Sequence, residues 1–376
     1  MSAAVPFRIE VDQQALDDLN FRLERTRWQD PIPGSGWSYG ADQDYIRELC
    51  DYWRTGYDWR DAEARINAHP QFIQQVDGVD LHYLHVHGRG PSPFPLLLLH
   101  GWPGSIWEFM EVIGPLTDPA SFGGDPADAF DVVVPSLPGF GYSGRPRTPG
   151  WGVTRVAQAM NELMAGLGYL RYGTQGGDWG GIISAQLGAD FPQSCVAIHV
   201  NQTVAQLPAD IPADALPWAA QFGEYAAEEM AYAEVQGTKP DSLTLAQNDS
   251  PAGLAAWIVE KFRSWGDTHG DIESSFSKDT LISNLMLYWL PQSVGSAARI
   301  YYEMRRDAAA MAFPRVGVPT GVAAFPGEPF SMPRVITQLR YNVTRWTEMP
   351  AGGHFAALEK PHSIIDDVRS FYRDHR

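Results

Sequence analysis

Apolar positions along this chain follow two rhythms, and the change from one to the other organises the molecule. Over residues 11–30, Leu16, Leu19 and Leu23 recur at spacings of three and four, the period of an amphipathic helix that ends near Pro31 and Pro33. A second helical stretch follows over 42–53, and then the aromatic segment YDWRDAEARINAHPQF. Residues 1–76 are therefore expected to form a helical N-terminal extension that packs on a larger core. From Asp80 the period shortens. DLHYLHVHG alternates like a half-buried strand, and PLLLLHG is a continuous apolar run of the kind a central parallel strand shows.

Strand patterns recur at 94–99, 130–135, 172–175, 194–200, 320–325 and 343–346, with helical ones at 106–116, 153–167, 180–190 and 361–373. Such alternation predicts an α/β fold with a mostly parallel, doubly wound sheet, built from residues 77–201 and 313–376. Between 202 and 312 the rhythm breaks into helical sequence rich in Trp and Tyr, expected as a lid inserted into the core.

Composition narrows the function classes. With 28 Lys and Arg against 45 Asp and Glu, the formal net charge of −17 argues against nucleic acid or an anionic membrane surface as the main partner. Cys50 and Cys195 are too few for a disulfide framework and lack metal-knuckle spacing, so they read as reduced thiols. No basic and apolar leader opens the chain, and FPLLLL is far short of the roughly 20 residues a membrane-crossing helix needs. The expectation is a soluble, cytoplasmic protein.

Candidate chemistry lies at strand ends. Gly173-Thr-Gln-Gly176-Gly177-Asp178-Trp179-Gly180-Gly181 sits at an expected strand-to-helix junction and contains G-x-D-x-G. Glycines two before and two after the central residue permit the strained turn that lifts a nucleophile above an α/β-hydrolase sheet, and here that residue is a carboxylate. An ionised Asp attacks carbon without a base and leaves an ester. The bland alternative is a Gly-rich turn with an Asp capping a helix. His100-Gly-Trp102-Pro-Gly104 ends the LLLL strand, where the backbone N–H of Trp102 and that of Trp179 form a candidate oxyanion hole. The alternative is a plain strand-ending turn.

His354, in Gly352-Gly353-His354-Phe355, follows Asp178 in the chain order nucleophile, acid, histidine. Glu328 is the first choice of acid, with Glu348 and Glu359 as rivals; Glu359 falls at the expected first turn of the last helix, where the helix dipole suffices to explain it. In His82-x-x-His85-x-His87, strand parity turns His82 away from the other two, so no metal site is expected. Cys195 reads as core packing.

Taken in order, HGWPG, GGDWGG, FPGE and GGHFAALEKP, after a helical extension, resemble the microsomal-type epoxide hydrolases over nearly the whole chain. The resemblance implies an α/β-hydrolase core with Asp178 as nucleophile, His354 as base, Glu328 as its acid partner and the Trp102 and Trp179 amides as oxyanion hole. It also implies two lid tyrosines that donate to the epoxide oxygen. AYAEVQGTKP points to Tyr232 and RIYYE to Tyr301, with the adjacent Tyr302 as competitor. The implied reaction turns a lipophilic epoxide and water into a vicinal diol with no cofactor and no metal. The membrane anchor of the animal members has no counterpart in this sequence. Two further readings stand beside it: a haloalkane dehalogenase, similar in fold and Asp nucleophile but with Trp102 where a second halide donor is expected, and a non-catalytic ligand-binding protein on the same scaffold. The extension could wrap the catalytic domain or meet a partner subunit in a homodimer. Substrate identity, stereochemistry and a role in detoxification or biosynthesis stay open.

Overall fold

The computed structural model describes residues 3–376. Nine strands make one sheet: β1 (Val5–Phe7), β2 (Gln71–Val76), β3 (Val79–Val86), β4 (Phe94–Leu99), β5 (Phe130–Pro135), β6 (Tyr172–Gly176), β7 (Cys195–Val200), β8 (Val316–Ala324) and β9 (Tyr341–Glu348). Their order is β1-β2-β3-β5-β4-β6-β7-β8-β9. The first three pairings are antiparallel and the rest parallel. The central strands carry buried Leu96 to Leu99, Val132 to Val134 and Ile198, because helices cover both faces of a parallel sheet. The fold is an α/β-hydrolase fold with a mostly parallel sheet.

Two strands lie inside the segment expected to be helical. The N-terminal 76 residues do contain helices Gln13–Glu24, Gln43–Thr55 and Trp59–Asn67, but β1 and β2 extend the sheet edge. β2 escaped the hydrophobic pattern because its inward positions include Gln71 and Gln74, both buried. Their amides are hydrogen-bonded to His82 Nε2 at 3.0 Å and Tyr83 OH at 3.4 Å, which removes the penalty of burying a polar side chain. Leu19 and Leu23 are buried as the helical period requires, while Leu16 is half-buried.

The extension packs on the inserted helices as well as on the core. Tyr52 OH donates to Asp279 at 2.8 Å, Tyr57 OH meets Ser283 Oγ at 3.0 Å, and Arg22 binds Asp249 at 2.6 Å. All three partners lie in the segment between β7 and β8, where every element is helical, from Ala213–Ala215 to Ala308–Met311.

The helix expected over 106–116 is broken. A 3-10 turn, Ile106–Phe109, is followed by a separate short helix, Ile113–Thr117. Pro115 has no N–H to give the Glu111 carbonyl, and its ring would clash there, so a continuous helix cannot pass through 111–115. The other helices run at Val153–Gly166, Asp178–Asp190 and Pro361–Tyr372. Among the described residues, no helix is long and apolar enough to cross a membrane.

His82 and His85 of β3 and His87 just beyond it diverge. His82 is buried between Ser136 Oγ and Gln71, both at 3.0 Å, and burial pushes its pKa down to about 3. His85 Nε2 meets Tyr169 OH at 2.8 Å, and His87 is exposed. Among the described residues, no group of three or more His, Cys, Asp or Glu side chains could hold a metal ion. Cys50 and Cys195 are free and buried, and burial pushes the Cys50 thiol up to about 12.

Candidate active site

Four loops at the carboxyl ends of the parallel strands β4, β6, β8 and β9 meet above the sheet. β6 runs into the helix Asp178–Asp190, and Asp178 adopts φ +48° at the junction. This left-handed conformation is uncommon for a residue with a Cβ and costs on the order of 1–3 kcal/mol. Close approach of β4 makes room for it only because two flanking positions are glycine. A Cβ on Gly101 would lie 2.2 Å from Asp178 Oδ1, and one on Gly180 would lie 1.9 Å from the Leu99 carbonyl.

Trp102 N–H donates to Asp178 Oδ1 at 2.8 Å. The Trp102–Pro103 peptide is cis, and His100 braces the turn: its Nε2 accepts from Leu137 N–H at 3.1 Å while Nδ1 donates to the Gly101 carbonyl at 3.0 Å. The Trp179 N–H lies in the first turn of its helix, where backbone donors have no intrahelical partner.

His354 stands in the loop after β9. Its Nε2 is 3.6 Å from Asp178 Oδ2, and its Nδ1 is 2.8 Å from Glu328 Oε2. Burial alone would push this imidazole down, but the carboxylates of Glu328 and Asp178 outweigh it and hold its pKa well above the ordinary histidine value. Glu328 is itself fixed, since its Oε1 accepts from Phe330 N–H at 2.9 Å. Of the three candidate glutamates it alone pairs with His354. Glu348 is exposed and accepts from Trp346 Nε1 at 2.5 Å.

Glu359 is not in the last helix. It ends the separate short turn Ala356–Glu359, so the dipole of the last helix does not explain it. Its carboxylate instead accepts from the N–H groups of Asp267, Gly353 and Phe355 at 2.7, 3.0 and 3.0 Å, stapling the histidine loop.

The inserted helices roof this site with aromatic rings. Tyr232 stacks on Trp102 at 5.2 Å between centroids, and Tyr301 meets Trp179 edge-on at 4.7 Å. The two tyrosine rings meet edge-on with centroids 5.8 Å apart, and burial is the main reason both pKa values are raised above the ordinary tyrosine value. Tyr302 faces away, with the Arg306 guanidinium 3.4 Å over its ring.

The cavity beside Asp178 measures about 10 Å³ at water centres, and Glu108, Gln175, Asn201 and His354 are among its lining. None of the first three carried a sequence signal toward this site. Trp265 and Phe330 were also missed, although their rings pack against His354 at 5.0 and 5.6 Å. Only the FPGE motif ran close enough to Phe330 to have suggested it.

Comparison with known proteins turns this geometry into a family assignment. Residues 4–109 match the epoxide hydrolase N terminus model, and residues 95–255 match the alpha/beta hydrolase fold model. Epoxide hydrolase 1 of Oryctolagus cuniculus is 33% identical, covering 97% of this chain and 88% of its own length. The chain belongs to the epoxide hydrolase family. It is thus an enzyme, a hydrolase acting on epoxides. A provisionally named epoxide hydrolase of Stigmatella aurantiaca is 40% identical, over 99% of this chain and 85% of its own length. The structure of juvenile hormone epoxide hydrolase from Bombyx mori superposes with a TM-score of 0.91 at 30% identity, covering 100% of this chain and 95% of the other. Epoxide hydrolase likeness therefore spans the extension, the sheet and the inserted helices together.

Proposed function

We propose that this epoxide hydrolase opens a lipophilic epoxide through a covalent ester on Asp178 and releases a vicinal diol. The observation that carries the reading is the unbroken polar line from Trp102 N–H through Asp178 and His354 to Glu328, with contacts of 2.8, 3.6 and 2.8 Å. Trp102 holds Oδ1, so Oδ2 is the oxygen free to attack. It forms a C–O bond to one oxirane carbon as the ring C–O bond breaks, and the ring oxygen takes the proton of a phenol. Tyr232 and Tyr301 supply that donor, since raised pKa values keep both protonated at neutral pH.

In the second half, His354 Nε2 takes a proton from water and the resulting hydroxide adds to the ester carbonyl. Charge develops on Oδ1, which already faces Trp102 N–H, and the Trp179 N–H is the second donor. Glu328 holds the imidazole orientation and offsets the charge it acquires. Collapse breaks the ester C–O bond, restores the Asp178 carboxylate and expels the diol, and the proton on His354 returns to the phenolate, which closes the cycle. No step calls for a metal or an organic cofactor.

Rapid mixing with an aryl epoxide, followed by acid quench and mass spectrometry, tests the reading. Diol formation and a transient adduct on the Asp178 peptide are expected; halide release from a haloalkane without diol from any epoxide overturns it. Tyr232→Phe and Tyr301→Phe are each expected to slow ester formation by about 10- to 100-fold, and the double variant by more, because each phenol donates to a developing alkoxide. Stopped-flow quenching of the fluorescence of Trp102 and Trp179 reads that step directly.

A further inference from the structure

Glu108 is a carboxylate that lines the cavity beside Asp178 and His354 and has no part in the chemistry above. It stands in the 3-10 turn Ile106–Phe109, in the sequence Ser105-Ile-Trp-Glu108. Ser105 Oγ accepts from Trp107 N–H at 3.2 Å, and the Glu108 carboxyl faces the Ser105 backbone N–H, the arrangement of an S-x-x-E cap. One carboxylate oxygen suffices for that cap.

The other faces a site of particular size and polarity. Glu108 Oε1 lies where a Cβ on residue 104 would stand, 1.6 Å away, so only glycine at that position lets the carboxylate sit there. The cavity of about 10 Å³ is on the scale of one water, too small for substrate. Gln175 Oε1, another group of the lining, is buried without a hydrogen-bond partner, and Asn201 completes the polar wall between Gln175 and the His354 loop. A small recess with acceptors on several sides suits a small donor of two hydrogens.

We infer that Glu108 positions the hydrolytic water, accepting one O–H of it while His354 Nε2 takes the other proton. The balance is simple: the proton on the His354 side leaves with the histidine, hydroxide adds to the ester carbonyl, and the O–H bond held by Glu108 stays intact through that addition, its proton passing to the departing alkoxide only when the intermediate collapses to carboxylate and diol. Burial first, and the neighbouring Asp178 anion with it, push this carboxyl up to about 8 against the opposing pull of His354. Protonated or ionised, the carboxyl keeps a lone pair that can accept from water. The inference rests on the ester mechanism proposed for Asp178.

The test separates the two half-reactions. Glu108→Gln retains the cap, because glutamine serves in a capping box, but turns an NH2 toward the water in place of an acceptor. Single-turnover measurement is expected to show ester formation within about twofold of wild type and ester hydrolysis slowed about 10- to 100-fold, the scale of a hydrogen bond to a charged group. Glu108→Ala, which loses the cap as well, is expected to show the same split at a lower melting temperature. Equal slowing of both steps, or unchanged hydrolysis in Glu108→Gln, overturns the inference while leaving the ester mechanism in place. Absence of any ester on Asp178 in the wild type would instead remove the mechanism on which it rests.

Discussion

Asp178→Asn is expected to lower diol formation by about four orders of magnitude or more while leaving the protein folded. The amide oxygen of asparagine still accepts from Trp102 N–H, where the native contact is 2.8 Å, so the loop geometry survives. Asparagine is also among the side chains that best tolerate φ +48°, so the backbone penalty hardly changes. What disappears is the anionic oxygen to which the proposed mechanism assigns attack on the oxirane carbon. Steady-state diol assay and thermal melting, taken on the same freshly prepared sample, check this pair of outcomes. Residual activity above about one per cent of wild type at an unchanged melting temperature would mean that another group opens the epoxide.

The second large effect falls on the other half-reaction. His354→Gln is expected to let the ester form and then persist, because the imidazole takes a proton only when water attacks. Loss of a general base costs about 10²- to 10⁴-fold in the step it serves. A stoichiometric mass increase on Asp178, equal to the mass of the epoxide, is the expected reading after brief mixing, with diol release close to background. The same logic sets the pH response. In the resting enzyme His354 sits between two carboxylates that raise its pKa well above 6.5, so the imidazolium dominates at neutral pH. Esterification removes the Asp178 charge and lowers that pKa, which releases neutral imidazole for the hydrolysis step. Hydrolysis therefore slows as pH falls, since the base is then protonated, while attack by Asp178 persists. Wild-type enzyme in mildly acidic buffer should accumulate ester as the variant does. Ester formation that vanishes in His354→Gln would place the histidine in the first step instead.

Short-range patterns determined much of this molecule. The apolar runs at β4 to β9 and the helices between them follow from residues only a few positions apart, where side-chain period and backbone geometry are directly coupled. The glycines around Asp178 were legible for the same reason, since a tight turn constrains its immediate neighbours. The ordered motifs pointed to the family whose N-terminal model matches residues 4–109.

Contacts between distant segments were decided only by the tertiary structure. Loop position made Glu328 the first choice over Glu348 and Glu359, and the path of two loops across 26 positions brings it alone of the three to His354. Tyr301 and Tyr302 are adjacent, yet the rotation of one helix turns the first toward Trp179 and the second toward Arg306. β2 was hidden because its buried glutamines find partners on β3, which no local pattern reveals. Glu108 looks like one half of a helix cap until β4, β6 and the histidine loop form a water-sized recess beside it. Sequence periodicity specifies which face of an element is buried; which polar group meets which depends on long-range packing, so motifs could name the candidate site residues but not the distances between them.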